Sequence, residues 1–157
     1  MPETIAVVGD LHFQPKCENA SIRSHVVEGQ KAFLSRMVLD LKARGVKTVV
    51  FTGDIFTNHQ YMSVDWLNYA VDFFQTEMAD FDVHIISGNH DLMFEDRDDR
   101  TSLKPLTLIP NVHVYTESVG KLKVDDKTWY FVPCLFLPRR PSSPHGSPRL
   151  AESTTRT

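Results

Sequence analysis

Three short apolar segments of this chain each end at a glycine that is followed by an acidic or amide residue. They are residues 4–8, 47–52 and 82–87, and the dipeptides that follow them are Gly-Asp, Gly-Asp and Gly-Asn. Continuous apolar runs rich in β-branched residues predict strands that are buried on both faces of a parallel or mixed sheet. Because such strands need helices above and below them, these segments predict an α/β fold.

Amphipathic segments follow the first two predicted strands. In residues 27–44 apolar side chains recur at spacings of three and four, which predicts a helix that ends at Gly45. These apolar side chains are Phe33, Leu34, Met37, Val38 and Leu41. Ser63 can cap a second helix, whose apolar face runs as far as Met78.

The later part of the chain predicts further strands. Residues 111–115 form a fourth β-rich run, and residues 121–124 and 128–133 predict a hairpin. The acidic stretch 95–100 is predicted to be a solvated loop. The fold class predicted is therefore α/β, with mixed β-sheet layers flanked by helices.

Composition predicts one folded domain and a tail. With 157 residues and 41% apolar content, the chain can bury one core, which we assign to residues 1–137. Residues 138–157 are rich in Pro, Ser, Arg and Thr, which predicts a disordered low-complexity tail. The formal net charge is -3, and the tail carries four arginines and one glutamate, which leaves 13 basic and 19 acidic side chains in residues 1–137. The total charge therefore predicts no strong sequence-independent attraction to phosphates.

The cysteines and the N-terminal sequence predict the cellular compartment of the protein. Cys17 and Cys134 lie far apart and belong to no zinc-binding or redox motif, as is usual in a reducing compartment. The chain has no basic N-terminal region followed by an apolar stretch and no run long enough to span a bilayer. A cytoplasmic protein without membrane contact is predicted.

Polar side chains follow all three predicted strands. They are Asp10 and His12 after the first, Asp54 after the second, and Asn89, His90 and Asp91 after the third. Ligand sites of open α/β sheets lie outside the carboxyl ends of the strands, so these groups are expected to converge, with each preceding glycine allowing a tight turn. Carboxylate, amide and imidazole donors suit Mn²⁺, Fe²⁺, Mg²⁺ or Zn²⁺ rather than copper(I). Asp54 is positioned to bridge two such ions. One Gly-Asp alone would be an ordinary turn, so the interpretation depends on all three together. We call these three glycine-containing turns at the strand ends the corners.

These corners resemble the signature GDxH, GD and GNH(D/E) of the calcineurin-like metallophosphoesterase superfamily. They stand here as Gly-Asp-Leu-His at 9–12, Gly-Asp at 53–54 and Gly-Asn-His-Asp at 88–91. Within that superfamily, Gly-Asp-Leu-His-Phe, Asn-Val-His-Val-Tyr and Phe-Val-Pro resemble the nuclease subunit of SbcD-like DNA-repair exonucleases, including phage recombination nucleases. The resemblance covers roughly residues 4–137.

The resemblance implies a role for each motif residue. Asp10 and His12 would bind one divalent metal, Asp54 would bridge, and Asn89 would bind the second, with Mn²⁺ the foremost candidate. His90 would be a catalytic group at the scissile phosphate, and Asp91 would orient His90 by accepting a hydrogen bond. His59, five residues after Asp54, is a further candidate for substrate contact.

The same resemblance implies DNA as the substrate, a coiled-coil SbcC-like ATPase subunit as a partner, and a homodimer. The family completes its metal site with a later histidine and a Gly-His-x-His corner, neither of which this sequence contains. The later histidine that it does contain, His145, stands in the predicted tail. We therefore expect a truncated or frameshifted product or a natural short variant, with weakened metal binding and doubtful activity.

Two other functions remain open. One is a phosphomonoesterase or small-nucleotide phosphodiesterase on the same core, and the other is an inactive fragment or paralogue that binds a metal or a partner protein. The remaining histidines have structural interpretations. His84 and His113 are predicted to be hydrogen-bonded strand residues, and His25 to be exposed in a loop.

Overall fold

A computed structural model of the protein describes residues 3–13, 20–58, 61–94 and 97–134. His59, Cys17, His145 and the predicted tail 138–157 lie outside these described residues. Their predicted roles, and the boundary at residue 137, therefore stay predictions.

The described chain contains a parallel sheet and two antiparallel pairs of strands. In chain order the strands are β1 (Ile5–Val8), β2 (Thr48–Phe51), β3 (Asp82–Ile86), β4 (Leu92–Phe94), β5 (Arg97–Thr101), β6 (Val112–Tyr115), β7 (Gly120–Val124) and β8 (Lys127–Phe131). The sheet has the order β1-β2-β3-β6, with every neighbouring pair parallel. The antiparallel pairs β4-β5 and β7-β8 form separate two-stranded sheets. The α/β prediction is confirmed, and both pairing directions occur, each in its own sheet.

Two α-helices follow β1 and β2, as the sequence predicts. They are α1 (Ala20–Ala43) and α2 (Val64–Asp72), and α2 continues into a π-helical turn, Phe73–Glu77. The predicted caps are present. Gly45 takes a φ of 68° after α1, and Ser63 accepts a hydrogen bond from the Trp66 backbone N–H at 3.3 Å.

Helix α1 differs from its prediction in two respects. It begins seven residues before residue 27, so His25 lies in a helix rather than in a loop. Its inner stripe contains Leu34, Val38 and Leu41, whereas Phe33 is 60% exposed. The stripe follows the spacing i, i+4, i+7, and the residue before Leu34 is rotated about 100° away from it.

The hydrophobic core lies between the helices and one face of the sheet. Val49, Phe51, Val83 and Ile85 alternate along β2 and β3 and are fully buried in it. Because successive strand residues point to opposite faces, the residues between them lie on the other face. There the hairpin β7-β8 packs Phe131 against the rings of His84 and Tyr115, at centroid distances of 5.1 and 5.3 Å.

The stretch predicted to be a solvated loop contains a strand. Residues 97–101 pair with β4 in antiparallel register, Leu92 opposite Thr101 and Phe94 opposite Arg97. The acidic sequence alone indicated a loop, and the strand forms because its backbone groups bond to β4, which immediately follows the third polar corner.

Candidate metal centre

The polypeptide segments after β1 and β2 remain hydrogen-bonded to each other beyond the ends of the two strands. The backbone N–H of His12 donates to the carbonyl of Asp54 at 2.9 Å, and that of Phe13 donates to the carbonyl of Ile55 at 2.8 Å. This short parallel ladder sets the two segments side by side. As a result, side chains 44 residues apart in the sequence meet at one edge of the sheet.

Asp10, His12 and Asp54 form a group in which one donor atom from each residue lies within 4.8 Å of the others. The Nε2 atom of His12 lies 3.8 Å from Oδ1 of Asp10 and 3.9 Å from Oδ2 of Asp54. The Asp10 side chain is 74% exposed, His12 39% and Asp54 15%, so the group runs from the surface inward. Two carboxylates and one imidazole suit a hard or borderline divalent cation, so the residues fit the metal that their motifs predict.

All three donor residues have strained backbones. Asp10, His12 and Asp54 have φ values of 52°, 47° and 51°, in the left-handed region that non-glycine residues rarely adopt. Such conformations cost of order 1–3 kcal/mol each and persist where the surrounding structure enforces them. The donors therefore take part in the turns themselves, and at the second turn Gly53 also has a positive φ, of 103°.

At two of the corners the glycines leave no room for a Cβ, in line with the expectation for these positions. A Cβ on Gly88 would lie 2.1 Å from Oδ1 of Asp54, and a Cβ on Gly53 would lie 2.5 Å from the backbone nitrogen of Gly88. These contacts are far shorter than any real Cβ makes. Glycine is therefore required so that the corners after β2 and β3 can touch.

Asn89 lies beside the same cavity as the donor group. An open cavity of about 360 Å³ has Asp10, Asp54 and Asn89 among its lining residues, and Asn89 is exposed. Its other wall is mainly apolar and includes Ile86, Val132 and Pro133, with Cys134 beside them. The cavity therefore places an acidic and amide side next to an apolar side.

His90 is held by two hydrogen bonds. Its backbone N–H donates to Oδ1 of Asp54 at 3.0 Å, and its ring Nδ1 lies 3.0 Å from the carbonyl of Thr57. Since a carbonyl can only accept, Nδ1 carries the proton and Nε2 is the ring nitrogen left for other partners. The ring meets that of His12 edge-on, with centroids 5.3 Å apart.

Asp91 does not make the contact with His90 that the motif implied. Its carboxylate is fully buried and accepts hydrogen bonds from the backbone N–H groups of Gly88 at 2.9 Å and Phe56 at 3.2 Å. Burial raises the pKa of Asp91 to about 6, although the hydrogen bonds from the backbone oppose this rise. The carboxylate points back toward the short 3₁₀ turn Asn89–Asp91 and fixes the backbone of two corners. The His90 ring is hydrogen-bonded to the Thr57 carbonyl instead.

Two residues that the motifs did not indicate support His12. The Gln30 side chain, from α1, donates from Nε2 to the carbonyl of Leu11, and the Thr57 hydroxyl donates to the carbonyl of His12 at 2.9 Å. Their contacts span 19 and 45 residues, and neither residue stands in a recognisable motif. Nothing in the sequence pattern could have identified them.

The fold and the donor set define an α/β protein with a candidate metal site at the carboxyl ends of adjacent strands. The family model described as calcineurin-like phosphoesterase matches residues 3–147, and the chain therefore belongs to the calcineurin-like phosphoesterase family. Membership indicates a hydrolase that cleaves phosphoesters with divalent metal ions.

A comparison with curated proteins gave no significant match. Among the described residues, no helix is long and apolar enough to cross a membrane.

Proposed function

We propose that this protein is a metal-dependent phosphodiesterase that acts on DNA, of the SbcD-like nuclease kind. The observation that carries the proposal is the convergence of donor atoms from Asp10, His12 and Asp54 in a chain of the calcineurin-like phosphoesterase family. Two of these residues, Asp10 and Asp54, line the cavity beside the group. The nuclease branch is supported by the sequence motifs at 9–13, 111–115 and 131–133. On the same basis, a coiled-coil ATPase subunit and a second copy of the chain are the proposed partners.

Two divalent cations, with Mn²⁺ preferred, are the proposed cofactors. Asp10 and His12 would hold one ion, Asn89 the other, and Asp54 both, because Asp54 lies near His12 and lines the same cavity as Asn89. When bound, the ions supply Lewis-acid neutralisation of the charge on the phosphoryl oxygens.

His90 and Asp91 contribute to the proposed reaction through the positions in which hydrogen bonds hold them. With Nδ1 bonded to Thr57, His90 has Nε2 available to the substrate, where an imidazolium neutralises charge on the phosphate or protonates the leaving oxygen. Asp91 holds the backbone that carries Asn89 and His90 and has no direct part in proton transfer.

Small phosphoesters are the competing substrates. The cavity of about 360 Å³ is within the size range of small-molecule sites, and a net charge of -3 does not favour a long polyanion. A phosphomonoesterase or small-nucleotide phosphodiesterase would use the same donors.

Hydrolysis of three substrates with Mn²⁺ separates these functions. The substrates are single-stranded DNA, the diester bis-p-nitrophenyl phosphate and the monoester p-nitrophenyl phosphate. The proposal predicts cleavage of both diesters in preference to the monoester, and loss of that cleavage in Asp54→Asn, with the exposed helix variant Asp65→Asn as a matched control. Folded protein that cleaves neither diester with Mn²⁺, Mg²⁺, Fe²⁺ or Zn²⁺ would refute it, and a preference for the monoester would favour the alternative.

A further inference from the structure

The hairpin β7-β8 has an outer face that is cationic and aromatic, although the chain as a whole is acidic. The strand register pairs Lys121 with Tyr130 and Lys123 with Thr128. Because strand side chains alternate between faces, these four residues share one face, and none of them is acidic. The two acidic residues of the hairpin, Asp125 and Asp126, lie in its turn.

This face is open to solvent and is continuous with the cavity of the metal centre. The exposed fraction alternates from 62% at Tyr130 to 3% at Phe131 and 59% at Val132, so Tyr130 and Val132 lie on the same side. Val132 also lines the cavity that contains Asp10 and Asp54. Tyr130 therefore stands two residues, or about 7 Å, from the wall of the site.

The side chains of the face suit a flexible polyanion with planar groups. Lys121 Nζ lies 5.7 Å from the centroid of the Tyr130 ring, and within the described part of the chain neither Lys121 nor Lys123 forms an ion pair. Exposed aromatic rings stack on unpaired bases, and nearby lysines neutralise backbone phosphates. A base pair in a duplex keeps its faces covered by its neighbours, so a stacking ring of this kind selects single strands.

We propose that the outer face of the β7-β8 hairpin, formed by Lys121, Lys123, Thr128 and Tyr130, binds the single-stranded nucleic acid next to the phosphodiester that enters the cavity. Tyr130 stacks on the base adjacent to the scissile phosphate, and the two lysines contact phosphates farther along the strand. The inference rests on the proposed function for the reaction at the cavity, but the binding itself needs no turnover.

The test is fluorescence anisotropy of a labelled oligothymidylate with the whole chain in EDTA, where no cleavage occurs. Tyr130→Ala is expected to weaken binding by about ten-fold, because the loss of one stacked base corresponds to roughly a 5- to 150-fold fall in affinity. Tyr130→Phe keeps the ring and should retain the wild-type affinity. Removing Lys121 and Lys123 together should make the logarithmic salt dependence shallower by roughly 0.7 for each lysine. Phe33→Ala and Lys104→Ala replace an exposed aromatic and an exposed lysine elsewhere and serve as controls.

The inference is overturned if the Tyr130 and lysine variants bind the oligonucleotide as tightly as the two controls do. It is also overturned if Tyr130→Ala halves the sedimenting mass without changing this affinity, since the face would then join two copies of the chain. A wild-type protein that binds through this face but hydrolyses no diester would refute the proposed function and leave the inference standing. Hydrolysis of both diesters by the wild type, with unchanged oligonucleotide binding in the variants, would refute the inference and leave the proposed function standing.

Discussion

At the scale of single residues, the most informative feature is that three of the four candidate ligands adopt strained backbone conformations. Asp10, His12 and Asp54 have positive φ, and the fourth described non-glycine residue of this kind, Asp125, lies in a hairpin turn. The sequence identified Asp10, His12 and Asp54 by residue type and order. It could not reveal their backbone conformations, because the conformations result from ladder contacts between segments that are distant in sequence.

Gly88 should be the least replaceable glycine of the site. In Gly88→Ala the new Cβ would meet the Asp54 side chain and backbone, at 2.1 and 2.5 Å, so we expect roughly 1–3 kcal/mol of destabilisation. Gly29 lies in α1 with no atom near its notional Cβ, so Gly29→Ala should stabilise the protein by about 1 kcal/mol. Urea unfolding of both variants measures the difference, and equal stabilities would contradict the contact between the corners.

Gln30 should affect metal binding although it touches no metal. Its Nε2 donates to the Leu11 carbonyl, beside His12, and its Oε1 is buried without a partner among the described residues. Gln30→Met keeps the length and removes the donor, so we expect Mn²⁺ affinity to fall by about ten-fold. Calorimetric titration, with Arg36→Gln as the control on the same helix, measures this effect. Unchanged affinity together with a lower Tm would mean that Gln30 is purely structural.

At the scale of secondary-structure elements, the sequence predicted the strands and helix ends that short-range residue patterns determine. The runs at β1, β2 and β3 are short, apolar and closed by glycine, and each is a strand of the parallel sheet. The cap at Gly45 was predictable because glycine is the residue type that most readily adopts the positive φ found after a helix. The early start of α1 and strand β5 were not predictable, since polar sequence there adopts regular structure through hydrogen bonds that the pattern does not show.

The contact between β3, β6 and the hairpin predicts a pH dependence of stability. His84 is buried and stacks on His113 and Tyr115, while Asp82 bonds to both imidazoles. Burial lowers the pKa of His84 below its usual value, although Asp82 opposes this shift. Below a pH of about 6.5 the unfolded chain therefore takes up a proton that the folded chain resists, and folding stability falls as the pH decreases.

The matching variant is His84→Gln, which cannot take up that proton. Urea unfolding at pH 7.5 and pH 5.5 should show a smaller loss of stability in His84→Gln than in the wild type. The comparison between the two proteins cancels the opposite contribution of Asp91, whose raised pKa stabilises the folded state as the pH falls below about 6. An equal or larger loss in the variant would mean that His84 is not held neutral.

At the scale of the whole molecule, the site depends on packing that no single motif contains. The helices cover one face of the sheet, and the hairpin β7-β8 covers part of the other and leads through Val132 to the cavity. The motifs predicted which side chains meet at the strand ends. They did not predict that Asp91 would fix the backbone or that Thr57 would hold His90, because both depend on three corners folding against one another.

The most direct measurement of the metal centre is anomalous diffraction at the manganese edge from crystals grown with Mn²⁺. We predict a peak within coordination distance of the side chains of Asp10, His12 and Asp54, and none there in crystals of Asp54→Asn. Ordered side chains at these three positions with no anomalous peak between them, or a peak bound only elsewhere on the molecule, would contradict the assignment.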